Sequence, residues 1–300
     1  MKTLITIALL LVSFIYGILV GYAKYPPYNF LSYVKNQYLD ISVNKNQKKI
    51  LEDCEITSLS EVSNNSIVFI GHAYGAPGHG EFLSPKVVSF LNKNKNKIER
   101  VVFTGDVLRE PSKEKWKRLN DYMFSNQIKF SIAPGNHDIG FNDNAYRDIF
   151  FKIFDKSFPY VIKSVSNQKT KIVIEDSTKN NWMIMNKSFE FINQDNKNIN
   201  YAILLRHNIP VSELLKQANS TEGLGYRKLP SINELSKKFK RKVIVISGDS
   251  GAEPSLSRIS CIKKNKLTVI ANGIGNLDND IILILNNNKL GYLNLKESLE

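Results

Sequence analysis

Downstream of residue 65 the chain repeats one pattern. A short run of apolar, largely β-branched residues is followed at once by a glycine or by a polar residue able to bind a ligand. "IVFI" runs into Gly71-His72, "VVFT" into Gly105-Asp106, and "FSIAP" into Gly135-Asn136-His137-Asp138. "YAILL" runs into Arg206-His207, and "KVIVIS" into Gly248-Asp249. "KIVIED" and "LTVIANGIG" have the same character. These runs are apolar at successive rather than alternate positions, which predicts strands covered on both faces. "IILIL" and "GYLNL" around "NNNK" predict a closing hairpin.

The stretches between them have helical spacing. In "SPKVVSFLNKNK", Ser84 stands at an N-cap position and Pro85 in the first turn. "SKEKWKRLNDYMFSNQ" places Trp116, Leu119 and Met123 on one face, and "NAYRDIFFKIF" and "SINELSKKFK" are further candidates. Strands alternating with helices predict an α/β domain with much parallel sheet. In such sheets the residues just past the strand C-termini gather at one edge, where ligands bind. That geometry would bring His72, Asp106, Asn136, His137, His207 and Asp249 together from distant parts of the sequence.

The first segment follows a different pattern. From Thr3 to Ala23 no residue is charged, and Lys2 and Lys24 flank the run. About twenty apolar residues suffice to cross a bilayer as a helix, and a core helix of that length with no polar face is unusual. Residues 1–23 are therefore read as a membrane-targeting transmembrane helix. Gly21-Tyr22-Ala23 offers the small residues a signal peptidase selects, but the apolar run exceeds the usual signal-peptide core, which favours an uncleaved anchor. By the positive-inside rule Lys2 stays in the cytoplasm, giving a single-pass cell-membrane protein whose domain is extracytoplasmic. Tyr25-Pro26-Pro27-Tyr28 discourages helix continuation and suits a headgroup interface. Residues 24–64, polar and weakly periodic, are read as a juxtamembrane connector with one short helix, and 65–300 as the folded domain.

Composition changes this picture little. A hydrophobic content of 42% with 23% charged residues is that of a globular chain. The net charge of +13 owes much to lysine interleaved with asparagine, as in "NKNKNK" at 92–97. This is a bias that decorates loops, the commoner case, or an attraction to anionic lipid headgroups or phosphorylated substrates. No pattern of basic and stacking aromatic residues marks a nucleic-acid module, so nucleic acid is not an expected partner. Cys54 and Cys261 form no CxxC pair, which argues against a zinc-thiolate site. In an oxidising compartment they could bond, and the sequence leaves open whether they lie close enough.

Only four histidines occur, and three of them follow buried-strand runs, beside two Gly-Asp pairs and an Asn-His-Asp triplet. Singly, each has an ordinary reading as a loop histidine or a turn; the combination points to a site. At these residues the chain resembles the calcineurin-like metallophosphoesterases. That family's motifs run Asp-x-His, Gly-Asp, Gly-Asn-His-Asp/Glu, a later His, then Gly-His-x-His. Here "IGH", "GD", "GNHD", "RHNIP" and "GDSG" stand in that order within residues 65–285.

The resemblance implies a metallophosphoesterase-type β-sandwich flanked by helices, holding one or two divalent ions of manganese, iron or zinc. It implies that Asp106 bridges two ions, that Asn136, His207 and Asp249 complete one site, and that His72 serves the other. It further implies that His137 steadies the phosphoryl group or protonates the leaving oxygen, with Asp138 orienting its ring. Carboxylates and imidazoles suit such borderline metals, and two ions about 4 Å apart can bind a phosphate and deprotonate a water for in-line attack.

Two positions depart from the family pattern. Ile70 stands where the family has Asp, and Gly251 where it has its last His, while Asp249 offers a carboxylate in place of an imidazole. The losses fall mostly on the His72 side. His79, in the same glycine-rich loop, is a replacement ligand or, the commoner case, a solvent-facing residue. Tyr74 is placed at the cleft by position alone. The expected function is hydrolysis of a phosphomonoester or phosphodiester outside the cytoplasm, of an envelope-glycan or lipid-linked kind. A one-metal hydrolase is a variant of it. The alternative is a phosphate- or glycan-binding module of an envelope assembly that has lost catalysis. Ile70 and Gly251 speak for that alternative and the retained His137 against it.

Overall fold

The computed structural model describes residues 10–18, 49–75, 81–140, 144–179, 182–217, 229–250, 259–275, 280–296 and 298. The chain divides into two units, Met1–Ser42 and Val43–Glu300. In the first, residues 10–18 are helical and expose Leu10, Val12, Phe14, Ile15 and Ile18. The rest of the Thr3–Ala23 run and residues 25–28 lie outside the described residues. Among those described, no helix is long and apolar enough to cross a membrane.

The second unit is mixed α/β, with two six-stranded sheets. The first sheet holds β1 (Thr57–Ser58), β2 (Ser66–Ile70), β3 (Ile98–Phe103), β4 (Phe130–Ile132), β11 (Ile281–Asn286) and β12 (Lys289–Asn294), in the order β1-β12-β11-β2-β3-β4. The second holds β5 (Tyr160–Ile162), β6 (Thr170–Ile174), β7 (Tyr201–Arg206), β8 (Lys242–Ser247), β9 (Ile259–Lys264) and β10 (Leu267–Asn272), in the order β5-β6-β7-β8-β10-β9. Among the described residues after position 80, the α-helices are α1 (Pro85–Asn94), α2 (Lys113–Ser125), α3 (Asn136–Ile139), α4 (Asn144–Phe154), α5 (Asn186–Asn193), α6 (Ser212–Gln217) and α7 (Ile232–Ser236).

Parallel pairing runs through β2-β3-β4 and through β6-β7-β8-β10. The period of two explains why these strands are apolar throughout. In β2, Ile67 and Phe69 enter a core between the sheets with Ile172, Ile203, Leu205 and Ile246, while Val68 and Ile70 face the other way. The outward pair packs with Val87, Phe90, Trp116, Leu119 and Phe150 from α1, α2 and α4. The second sheet is covered in the same way, Leu204 and Val245 meeting Ile192, Leu214 and Leu235 from α5, α6 and α7. Each sheet thus has one face on the other sheet and one under helices, and neither face of a central strand tolerates polar side chains.

Ser112 caps α2 by accepting from Lys115 N at 3.2 Å, and that helix buries Trp116, Leu119 and Met123. The expected hairpin pairs Asn286 with Lys289, and Asn287 and Asn288 take φ of 48° and 58°. Two left-handed residues make the turn whose twist matches antiparallel strands, and asparagine tolerates that region. The charged Asn-Lys stretch ends α1 and forms an exposed turn, where Lys97 pairs with Glu61 at 2.7 Å.

Of the expected connector, residues 24–48 lie outside the described residues, and residues 49–64, which include its one short helix, belong to the folded unit. Residues 49–53 are helical, Leu51 and Ile56 lie in the inter-sheet core, and β1 pairs with β12. Cys54 and Cys261 form a disulfide with Cα atoms 6.4 Å apart, which ties this entry segment to β9. The strands β1, β5 and β9 and the helices α5 and α6 carry no expectation from the sequence pattern.

Candidate metal centre

The parallel strands of both sheets end at a common edge. There the backbone turns sharply after each apolar run, and two of those turns place a non-glycine residue in the left-handed region: His72 at φ 47° and Asp106 at φ 54°. That conformation is uncommon for such residues, and it tends to persist where surrounding contacts impose it at functional sites. Here the contacts are mutual. Thr104 N donates to Ile70 O at 2.8 Å, His72 N to Gly105 O at 3.1 Å, and Ile274 N to Gly71 O at 2.9 Å, bracing β2, β3 and the end of β10. Gly105, at φ 93°, lies against the His207 ring, and a Cβ there would overlap the imidazole.

His207 is the hub. It follows β7, is fully buried, and its Nδ1 lies 3.2 Å from the carbonyl oxygen of Thr104 at the end of β3, so one ring nitrogen joins the two sheets. With Nδ1–H donating there, a neutral ring presents the Nε2 lone pair to three oxygens. They are Asn136 Oδ1 at 3.0 Å, Asp106 Oδ1 at 3.4 Å and Asp249 Oδ1 at 3.8 Å. Four acceptor atoms gathered at one point favour a positive charge there, which a second ring proton or a metal ion would supply. Burial opposes protonation of His207, but Asp106, Asp249 and Asp138 outweigh it and raise its pKa above the usual imidazole value.

His72 completes the arrangement. Its Nε2 lies 3.4 Å from Asp106 Oδ2, so the Asp106 carboxylate stands between the two imidazoles. Donor atoms of His72, His207 and Asp249 all lie within 4.8 Å of one another, and this group could hold a metal ion. Metal–ligand bonds of about 2.0–2.2 Å place neighbouring donors roughly 3–3.5 Å apart, which is the spacing found around Asp106. Two imidazoles and the Asp106 carboxylate, all buried, with the partly buried Asp249 carboxylate and Asn136 amide oxygen, fit a borderline divalent ion. Burial pushes the Asp106 carboxyl up, but His207, His72 and His137 more than reverse this and hold it below the ordinary aspartate value.

The GNHD turn enters from β4. Gly135 caps the one-turn helix α3, and a Cβ at Gly135 would collide with the Asp106 carboxylate. His137 N donates to Asp106 Oδ1 at 3.1 Å, fixing the carboxylate from the other side. The expected role of Asp138 is not what the geometry gives. Asp138 does not orient the His137 ring: its Oδ1 accepts from Val107 N at 2.9 Å and Leu108 N at 3.3 Å, and its Oδ2 from Gly135 N at 2.9 Å. It is a clamp between the loop after β3 and the start of α3. Burial and the Asp106 charge push its carboxyl up to about 7, against the amide donors that favour the ionised form. The His137 ring is instead set by Nδ1, 3.0 Å from Arg109 O.

Asp249 is half-buried and held from β7, with its backbone N donating to His207 O at 3.0 Å and Asn208 Nδ2 to its Oδ2 at 3.4 Å. Behind them lies a buried layer that the sequence did not disclose. Ser177 Oγ accepts from His207 N at 3.2 Å and Asn208 N at 2.9 Å, and donates to Asn208 Oδ1 at 3.1 Å. Arg206 and Glu175, both fully buried, pair at 3.1 Å. Glu175 and Ser177 follow β6, and Arg206 ends β7, as ordinary polar residues, and the register of Ile174 against Leu205 brings them together. Ile70 is buried in the apolar layer under α1 and α2 and offers no donor. His79 and Gly251 lie outside the described residues. All the other sequence-derived candidates, His72, Asp106, Asn136, His137, Asp138, His207 and Asp249, meet at this edge. No protein-family model matches the chain, and no curated protein matches it either.

Proposed function

We propose that this chain is a membrane-anchored, metal-dependent phosphoesterase of the calcineurin-like kind, cleaving a phosphomonoester or phosphodiester outside the cytoplasm. On this reading its two packed sheets are that family's sandwich. The observation that carries the proposal is the convergence on one buried point of Asn136, Asp106 and Asp249 around His207 Nε2, with His72 across the Asp106 carboxylate. A bound divalent ion supplies positive charge for the phosphoryl oxygens and acidifies water. The chain's own groups do the rest. Thr104 O fixes the tautomer of His207, and His137 N holds the Asp106 carboxylate in place. Arg109 O receives the Nδ1–H of His137, so the ring would give a proton from Nε2 to the leaving oxygen as the doubly protonated imidazolium and end as the neutral Nδ1–H form. The anchor is supported by the exposed apolar side chains of residues 10–18, and an oxidising compartment by the Cys54–Cys261 bond. A substrate of the envelope-glycan or lipid-linked kind follows only from that membrane setting.

The test is elemental analysis of the purified full-length protein beside hydrolysis of a generic aryl phosphate. Bound manganese, iron or zinc with metal-dependent turnover is expected; absence of both under every metal supplement sinks the reading. A reporter fused after Ser66 should be active only outside the cytoplasm. The second reading, a binding module without catalysis, is favoured by the apolar burial of Ile70. It predicts that His137→Ala leaves biological function intact, whereas an enzyme loses on the order of a hundredfold or more in turnover.

A further inference from the structure

Tyr74 is only 2% exposed, yet it belongs to none of the three apolar cores. Its ring lies between two histidines of the centre. It stands edge-on to His72 at 5.4 Å between centroids and edge-on to His137 at 5.7 Å. A tight turn fixes it there, with Gly75 N donating to His72 O at 2.8 Å and Ser84 N donating to Ala73 O at 2.7 Å. The charged groups of Asp106, Arg109, Asp138 and Asp249 surround this ring closely enough to act on its phenol.

This placement has a chemical meaning if His72 marks the metal side and His137 the leaving-group side, as the phosphoesterase reading holds. The phosphoryl group would then lie between them, beside Tyr74. It is dianionic or nearly so, and on the His72 side Ile70 provides no ligand to build up positive charge. A phenol is protonated at neutral pH and can donate. We propose that Tyr74 is a catalytic residue, its hydroxyl donating a hydrogen bond to a non-bridging oxygen of the bound phosphoryl group. The inference rests on the phosphoesterase reading and adds to it a donor outside the metal-ligand set.

The experiment uses the full-length protein loaded with Mn²⁺, with inorganic phosphate as the probe, and compares wild type with Tyr74→Phe by calorimetry. Phenylalanine keeps the ring and both edge-on contacts, so Mn²⁺ stoichiometry and affinity should not change. Phosphate affinity should fall at least about tenfold, the scale of one hydrogen bond to a charged group. Saturating phosphate should also perturb the near-ultraviolet tyrosine absorption of the wild type, a readout that does not depend on the variant folding. Equal phosphate affinity in Tyr74→Phe, loss of Mn²⁺ binding by it, or no tyrosine perturbation in the wild type overturns the assignment of Tyr74. If the wild type binds phosphate through Mn²⁺ in those cases, the phosphoesterase reading survives. If the wild type binds neither Mn²⁺ nor phosphate, both fall.

Discussion

Asp106→Asn tests the centre most directly, because the side chain keeps its shape and loses only its charge. The carboxylate lies 3.4 Å from both His72 Nε2 and His207 Nε2, so it touches every part of a metal site built there. Loss of an outer partner of a metal ligand costs 10–100-fold in affinity, so loss of a ligating charge should cost at least about 100-fold. With metal at about 100 times its dissociation constant, the wild type gains about 2.7 kcal/mol from binding. For a domain of this size that raises the melting temperature by roughly 5–11 °C. At the same concentration the variant would sit near its own dissociation constant and gain only about 0.4 kcal/mol, or roughly 1–2 °C. The assay is thermal unfolding of the full-length chain in detergent, with metal and with chelator. The metal-induced difference is the observable, since Asn also removes the carboxylate–imidazole attraction from the metal-free protein. A variant whose metal-induced shift equals that of the wild type refutes the assignment of Asp106 as a ligand.

Asp249→Ala should weaken metal binding by a smaller factor than Asp106→Asn, since Asp249 lies 3.8 Å from His207 Nε2 and is partly solvated; equal losses would contradict this ranking. Metal affinity should rise with pH. The His207 pKa is raised, so below that value a proton must leave Nε2 before a metal enters, and the gain should be about tenfold per pH unit until the ring is neutral. Affinity independent of pH from 5 to 8 would exclude His207 as a ligand. Replacing both Cys54 and Cys261 by Ser should lower stability by about 5 kcal/mol, because the bond closes a loop with a sequence separation of 207; an unchanged denaturation midpoint counts against it. Arg206→Met should cost about 3–5 kcal/mol by leaving Glu175 buried without its partner. The double variant with Glu175→Gln should be less damaged than the sum of the single ones, and strict additivity in that cycle would show that the pair does not interact.

How much of this was legible in the sequence depends on how local each signal is. The central strands and α2 were readable because both faces of a strand, or one stripe of a helix, must be apolar to be buried, and that is written in consecutive residues. Three of the four edge strands, β1, β5 and β9, were not. β1 has only two residues, and β5 and β9 are intermediate or exposed at several positions, with Val161 and Lys264 on the surface. Their pairing is decided by neighbours far away in the chain. The same holds for residues 49–64, whose polar composition hid the few apolar side chains, Leu51, Ile56 and Val62, that enter the cores.

The candidate ligands were legible for a related reason. Each directly follows a strand that the pattern already located, and a parallel sheet brings strand ends to one edge whatever the loops do. What the sequence could not give is which partner holds each ligand. The family resemblance implies that Asp138 orients the ring of His137, its neighbour in the chain. The turn of α3 instead points the carboxylate at the amides of Val107, Leu108 and Gly135, and the ring is left to Arg109 O. Thr104 O and Ser177 likewise act through a backbone acceptor and a hydroxyl that no motif marks. The left-handed turns at His72 and Asp106 sharpen the point. They are costly locally, and they hold only because hydrogen bonds between the ends of β2, β3 and β10 impose them. The residue types of this centre are therefore encoded one by one along the chain, but their geometry exists only once the strand ends of the two sheets have met.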